Sequence, residues 1–378
     1  MDSELVIHSD DQFSPVGYLK FKKVDIVDKK ENEGKIKAIG VTQPGEAKLL
    51  KQVYYDRKNL GPRDLLVKVY AVSINPVDYK KRKFAFLEPQ PLGEQNPMVN
   101  GYDASAEVIA VGSQVQFFKV GDLVYYSGDV SRKGANGSEH IIDERITGFM
   151  PKNLSHAEAA SIPLVFGTAW EGLVDLLRIP EDPKKNEGKK ILIIAGAGGV
   201  GSAAIQLAKR ILGLYVVATA SREDTIEFCK KMGANVVINH RNPLAEELEK
   251  HNIKEFDYIL NCYDMTPEYF KQIAQLIKPF GEVCGIAGFE NSLELNLLFV
   301  KAARISMVFM GGRPVYKVDM ERQHQYFKQF TQWFEEKILT PTMTICEDFT
   351  VENLIKAHEK LESGTMIGKY VLNNVDKF

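Results

Sequence analysis

ILIIAGAGGVG, Ile191–Gly201, decides how the rest of the chain reads. Four apolar residues, Ile191–Ile194, predict a buried strand. Gly196, Gly198 and Gly201 then spell G-x-G-x-x-G, and Ser202–Leu212 follows with helical periodicity. A glycine loop between a strand and a helix is a phosphate-binding context. On this reading Gly196 permits the tight turn, Gly198 lets the backbone approach a pyrophosphate, and Gly201 lets the helix pack on the strand. Gly199 and Val200 complete the loop, and the first N–H groups of the helix face the phosphates. A glycine-rich loop without a ligand is the alternative.

Outward from this loop the chain alternates. Strands are predicted at Ile191–Ala195, Tyr215–Thr219, Asn235–Ile238, Tyr258–Asn261, Glu282–Ile286 and Ile305–Met310. Helices are predicted between the first five, at Ser202–Leu212, Arg222–Met232, Leu244–His251 and Pro267–Ile277. Such alternation predicts right-handed β-α-β units and a doubly wound parallel sheet. Upstream, Lys35–Thr42, Leu65–Ser73, Ala106–Val111 and Asp122–Tyr126 read as strands separated by Gly, Pro, Asn and Asp, a mostly antiparallel β domain. Short helices follow at Leu154–Ser161, where Ser155 and Glu158 form a capping box, and at Phe166–Arg178. Downstream, Met320–Glu336 and Val351–Leu361 read as helices and Met343–Glu347 and Lys369–Leu372 as strands that return to the β domain. The expected organisation is an extension over residues 1–34, a β domain over 35–164 completed by 313–378, and a nucleotide-binding domain over 165–312.

The 378 residues carry 44% hydrophobic and 26% charged side chains and a net charge of −2. Nothing there suggests a nucleic-acid partner. Cys229, Cys262, Cys284 and Cys346 are scattered, without C-x-x-C, so neither a zinc ribbon nor a disulfide framework is indicated. The N-terminus lacks a signal-peptide pattern and the apolar runs are too short for a membrane span. A cytoplasmic protein is expected.

Several further motifs occur in order. They are Ser73-Ile74-Asn75-Pro76-Val77-Asp78 with Arg82; Gly101-Tyr102-Asp103 with Glu107 and Gly112; Phe118–Asp122 with Val124; Ala159–Ile162 with Gly167–Ala169; Met232–Ala234; and Gly368–Tyr370. Over roughly residues 35–373 the chain resembles the medium-chain dehydrogenase/reductase superfamily, in its zinc-independent quinone oxidoreductase and zinc-type alcohol dehydrogenase-like branches. The resemblance implies a GroES-like β domain beside a Rossmann domain. It places Asn75 and Thr168 near a nicotinamide and His240 against the adenosine portion. Asn261, Ile286, Gly311 and Lys369 join the expected cofactor-binding set, and the sixth strand is expected to pair in a homodimer. Zinc alcohol dehydrogenases carry a cysteine near Asn75 and a histidine followed by glutamate near Tyr102-Asp103; neither is present, so no metal is expected.

Cofactor choice turns on Ser221-Arg222 after the second strand, where an NAD site usually carries an acid. A hydroxyl and a guanidinium suit a 2′-phosphate, which favours NADPH. Ser221 as a helix N-cap, with Glu223 and Asp224 at the positive helix end, is the structural alternative. Tyr79 is a candidate proton donor, or an aromatic packed over the cleft mouth. Asp78 and Arg82, four apart, are expected to form an ion pair. Cys262 and Trp170 read as core. The predicted activity is NADPH-dependent hydride transfer to a quinone or an α,β-unsaturated carbonyl without catalytic zinc. The alternatives are a catalytically weak nucleotide-binding protein with a structural or regulatory role, and a zinc-dependent alcohol dehydrogenase.

Overall fold

A computed structural model describes residues 34–88, 90–288 and 291–378. The extension expected over residues 1–34 therefore lies outside the described residues, apart from Gly34.

The chain opens with a hairpin of β1 (Lys35–Gly40) and β2 (Lys51–Asp56). β3 (Asp64–Ser73) runs into α1 (Pro76–Phe84). Pro76 suits the first helical position, and the Asp78 carboxylate accepts from the Asn75 N–H at 2.7 Å, closing the helix start. The helix stops at Ala85, whose φ of 48° is left-handed. β4 (Ala104–Val111), β5 (Leu123–Tyr126), β6 (Glu139–Asp143) and β7 (Thr147–Phe149) follow. β2, β6 and β7 escape the sequence reading: β2 and β6 begin and end on charged residues, and β7 is only three residues long, Thr147-Gly148-Phe149.

α2 (His156–Ala160) carries the expected Ser155–Glu158 capping box, and α3 (Pro163–Trp170) continues as π turns to Leu176. The alternating region is β8 (Lys190–Ile194), α4 (Gly199–Gln206), β9 (Tyr215–Thr219), α5 (Glu223–Met232), β10 (Val236–Ile238), α6 (Leu244–Glu249), β11 (Phe256–Asn261), α7 (Pro267–Leu276), β12 (Ile277–Gly285), α8 (Asn296–Phe299) and β13 (Arg304–Met307). The chain closes with α9 (Gly312–Tyr316), α10 (Glu321–Glu335), β14 (Met343–Asp348), α11 (Val351–Glu362) and β15 (Lys369–Asn373).

Two large sheets result. The first runs β10-β9-β8-β11-β12-β13 and is parallel throughout. The second runs β14-β15-β3-β4-β5-β7 with β6 paired to β3, antiparallel except between β14 and β15. The fold class is thus the expected one, a GroES-like antiparallel sheet and a doubly wound Rossmann sheet. Central strands β8 and β11 are buried on both faces, which is why their sequences read as unbroken apolar runs. The aromatic stripe of α10, Tyr326, Phe327, Phe330 and Phe334, is fully buried against Phe166, Trp170 and Tyr125, so one aromatic core joins α3, α10 and β5.

Two local expectations are corrected. Asp78 does not pair with Arg82. At the third helical position its carboxylate turns back to the N–H groups of Asn75 and Gly101. Arg82, a turn later, points toward α11 and bonds the Gly45 carbonyl at 3.0 Å, His358 at 3.1 Å and Glu362 at 2.5 Å. Ser221 is not the cap of α5. Arg222 occupies that position, and the Thr225 hydroxyl takes its N–H at 3.0 Å, because an Arg side chain has no acceptor for the helix N–H groups.

Candidate functional site

The carboxyl ends of the six parallel strands meet along one edge, where open α/β sheets bind ligands. Each carries an expected cofactor residue: Gly196–Gly201 after β8, Ser221 and Arg222 after β9, His240 after β10, Asn261 ending β11, Ile286 after β12 and Gly311 after β13.

The glycine loop divides its labour differently from the simple reading. The left-handed residue of the turn is Ala195, at φ 58°, and Gly196 is not in that conformation. Gly196 is needed for space: a Cβ there would lie 2.9 Å from Ala218 Cβ and 3.0 Å from Cys229 Sγ. At Gly201 a Cβ would lie 2.3 Å from the Ala195 carbonyl oxygen, so close packing of α4 on β8 requires glycine. Gly198 is different. A Cβ there would meet only the Ala195 carbonyl, at 3.5 Å, so its outer side is open. That open face, at the first N–H groups of α4, fits a pyrophosphate.

Beneath the loop lies a buried charged cluster. Lys369, at the start of β15, is 3% exposed, and Asn75, Asp78 and Asp103 are fully buried. The Lys369 ammonium donates to Ile74 O at 2.8 Å and Asn75 Oδ1 at 2.5 Å, and lies 3.1 Å from Asp103 Oδ2. Asn75 Nδ2 donates to Asp103 at 2.8 Å and to the Ser73 carbonyl at 3.1 Å, and Leu164 N–H donates to the other Asp103 oxygen at 2.7 Å. Burial pushes the Asp103 carboxyl up and the Lys369 ammonium down, and their pairing opposes both shifts. Burial also raises Asp78, to about 7. The cluster touches the loop directly. Gly368 N–H donates to Ala197 O at 2.9 Å, and a Cβ on Gly199 would stand 3.1 Å from Lys369 Cδ.

At these positions a zinc alcohol dehydrogenase would need metal ligands. Asn75, Tyr102 and Asp103 supply an amide, a phenol and a carboxylate. The amide oxygen and the carboxylate are already bonded to a lysine ammonium. The donor set does not fit a tetrahedral zinc. Among the described residues no group of three His, Cys, Asp or Glu is placed to hold a metal.

Thr168 lies on α3, nearly buried, with its hydroxyl 3.6 Å from Met310 Sδ. The neighbouring Gly311 approaches Val130, whose carbonyl takes a 2.5 Å bond from the buried Lys81 ammonium. Sequence reading missed Lys81, whose ammonium is buried on the Val130 carbonyl and on Glu88, 2.8 Å away. Arg313 holds the segment after Gly311 through Glu171 at 3.0 Å and Asp175 at 2.8 Å. Burial lifts Glu171 to about 7 against the opposing pull of Arg313. Tyr79 sits half-buried on α1, outside the Lys369 cluster. Burial and the nearby Glu362 raise its hydroxyl above the ordinary range, so it stays protonated at neutral pH.

At the other end of the sheet edge, Arg222 Nε lies 3.3 Å from Asp224 and Nη2 lies 3.4 Å from the Thr365 carbonyl. His240 is close enough that Arg241 and Arg222, after desolvation, hold its imidazole below the ordinary range. Asn261 is fully buried and spans its own turn, donating to Tyr263 O at 3.0 Å, while Ile286 N–H donates to the Asn261 carbonyl at 3.2 Å. Cys262 has its thiol pushed up by burial, against a reactive role. Among the described residues no helix is long and apolar enough to cross a membrane.

Comparison with known proteins agrees with this architecture. The alcohol dehydrogenase GroES-like domain matches residues 61–164 and the zinc-binding dehydrogenase domain residues 199–332. A zinc-type alcohol dehydrogenase-like protein of Staphylococcus aureus (strain MSSA476) is 41% identical over 89% of this chain and all of its own. The 2-methylene-furan-3-one reductase of Solanum lycopersicum is 31% identical over 82% of this chain and 72% of its own. A Rhizobium etli CFN 42 crystal structure, assigned provisionally to the zinc-dependent alcohol dehydrogenases, superposes with a TM-score of 0.82 at 37% identity, covering 90% of this chain and 98% of its own. Ordered motifs, paired sheets and relatives of full length together make this chain an oxidoreductase of the medium-chain dehydrogenase/reductase superfamily.

Proposed function

We propose that the protein is an NADPH-dependent reductase of α,β-unsaturated carbonyls or quinones that works without zinc. The observation that carries this reading is the Lys369 ammonium bonded to both Asn75 and Asp103, where a zinc enzyme would place its metal. Metal-free alcohol oxidation would need another Lewis acid or strong base at the reacting oxygen. A conjugated carbonyl accepts hydride with less activation, and the tomato relative is named for such a compound.

Reduced nicotinamide, when bound, supplies the hydride; the chain supplies position and a dry site. Gly198, Gly199 and Val200 at the start of α4 hold the pyrophosphate. Arg222 and Ser221 take the 2′-phosphate, beside His240. Asn75, with both ends of its amide engaged, acts as a positioning residue that fixes the entrance to α1, and Thr168 with Gly311 faces the nicotinamide end. The protonated Tyr79 hydroxyl, or water, returns the proton to the reduced carbonyl. A second copy of the chain pairs along β13, the outer strand of the parallel sheet.

The test is direct. Mixing with NADPH should change nicotinamide fluorescence, and adding an enone or quinone should consume the 340 nm band at about one equivalent per turnover. Activity should survive chelators, and elemental analysis should find no stoichiometric zinc. Tightly held zinc at one per chain, with activity lost to chelators, would return the reading to alcohol dehydrogenation.

A further inference from the structure

We propose that the turn between α11 and β15 forms the outer wall of the 2′-phosphate site, and that Lys360 is a second cation selecting NADPH. This rests on the NADPH reading above and deepens it.

Arg222 is not alone at the end of β9. Its Nη2 donates to the carbonyl of Thr365, a residue of the closing segment that leads into the antiparallel sheet. The Lys360 ammonium donates to the hydroxyl of the same Thr365 at 2.9 Å. Two cations from different parts of the chain therefore flank a single residue. The turn between them is firmly set. Ser363 Oγ donates to Lys360 O at 2.8 Å and lies 2.7 Å from Thr365 Oγ1. Gly364 takes φ +65°, with nothing within 4 Å of where a Cβ would stand. At its far end the turn is tied to the glycine loop by the Gly368–Ala197 bond, and Phe228 of α5 packs close to Gly368. The wall and the helix that carries Arg222 at its start are thus fixed to one another.

Charge explains why a second cation is needed. Arg222 is next to Glu223 and Asp224, both exposed, and Asp224 holds its Nε. Those acids offset the guanidinium. On the wall, Glu362 is already engaged with Arg82 and Lys83 at 2.5 Å each, so it does not neutralise Lys360. Both Arg222 bonds are long for charged partners, 3.3 and 3.4 Å. A phosphate dianion between Arg222 and Lys360 replaces them with two shorter charge-assisted bonds. It also links the nucleotide sheet to the closing segment, which NADH cannot do.

The experiment titrates NADPH, NADH and adenosine 2′,5′-bisphosphate against the parent, Lys360→Ala, Lys360→Arg and Arg222→Ala by calorimetry at low and high salt. Lys360 is half-buried and its ammonium rests on the hydroxyl of the exposed Thr365, so its replacement spares the buried face of α11. Lys360→Ala should weaken NADPH and the bisphosphate about three- to tenfold, leave NADH unchanged, and lose most of its effect at high salt. Lys360→Arg should restore most of the affinity. If Arg222→Ala lowers the NADPH preference while Lys360→Ala does not, the wall is elsewhere and the NADPH reading stands. If the parent does not distinguish the two cofactors and neither variant matters, the NADPH reading fails and the role of Lys360 fails with it.

Discussion

The glycines of the loop hold different obligations, and single substitutions separate them. At Gly198 the only protein atom near a Cβ is 3.5 Å away, while at Gly201 it is a carbonyl oxygen at 2.3 Å. Gly198→Val should therefore leave the thermal midpoint nearly unchanged and abolish NADPH binding, since the side chain enters the pyrophosphate's space. Gly201→Ala should instead lower the midpoint, because backbone must shift. Calorimetric melting with and without NADPH checks both, and a Gly198→Val protein that binds like the parent would remove this loop from the phosphate site. The sequence made the loop legible but assigned the turn to Gly196. The left-handed φ belongs to Ala195, which no residue type announces. The Asp78–Arg82 pairing failed for a similar reason: spacing puts two charges on one helix face, but the free N–H groups of Asn75 and Gly101 are nearer to Asp78 than Arg82 is.

Elements impose their own pH dependence. His140 on β6 is buried, with Nδ1 3.0 Å from the Tyr126 hydroxyl and Nε2 2.8 Å from the Lys133 carbonyl. Desolvation lowers it from 6.5 to about 4, outweighing the bond to Lys133. The unfolded chain then binds this proton first as pH falls. The His140 contribution is fully present above about 6.5 and is lost between 6.5 and 4, at up to about 1.4 kcal/mol per pH unit. Asp78 and Glu171, both raised to about 7, slope the opposite way over nearly all of this window, so the parent's curve alone does not isolate His140. The difference does. His140→Gln should be less stable than the parent at pH 7, and urea midpoints should converge as pH falls to 4.5. A gap that stays constant would mean that His140 titrates in the fold as it does in the unfolded chain.

At the scale of the molecule, β13 is unpaired on its outer edge among the described residues, and Phe280, Phe299 and Val300 nearby are about 80% exposed. An edge with apolar surroundings is a pairing surface. Sedimentation should give a dimer, and Met307→Lys in β13 should give monomers with the same far-UV spectrum; a monomeric parent would rule out this surface. How the chain divides its work between sequence and fold follows from the range of the forces involved. Local pattern sufficed for β8, β9, α4 and α5, since burial repeats with the period of the element and leaves that period in the residues. Gly201 was readable for the same reason, because its constraint comes from Ala195 and Gly196, whereas Gly196 is fixed by Ala218 and Cys229 outside the loop. The meeting of Asn75, Asp103 and Lys369 was not readable as chemistry. These residues lie up to 294 positions apart, and only the antiparallel sheet, by pairing β15 with β3, brings an ammonium to an amide and a carboxylate. Nor could spacing place Lys360 beside Arg222, 138 residues earlier in the chain. Sequence alone determined the fold class and marked the glycine loop; tertiary structure decided which charges surround it, because electrostatic partners are chosen by distance in space.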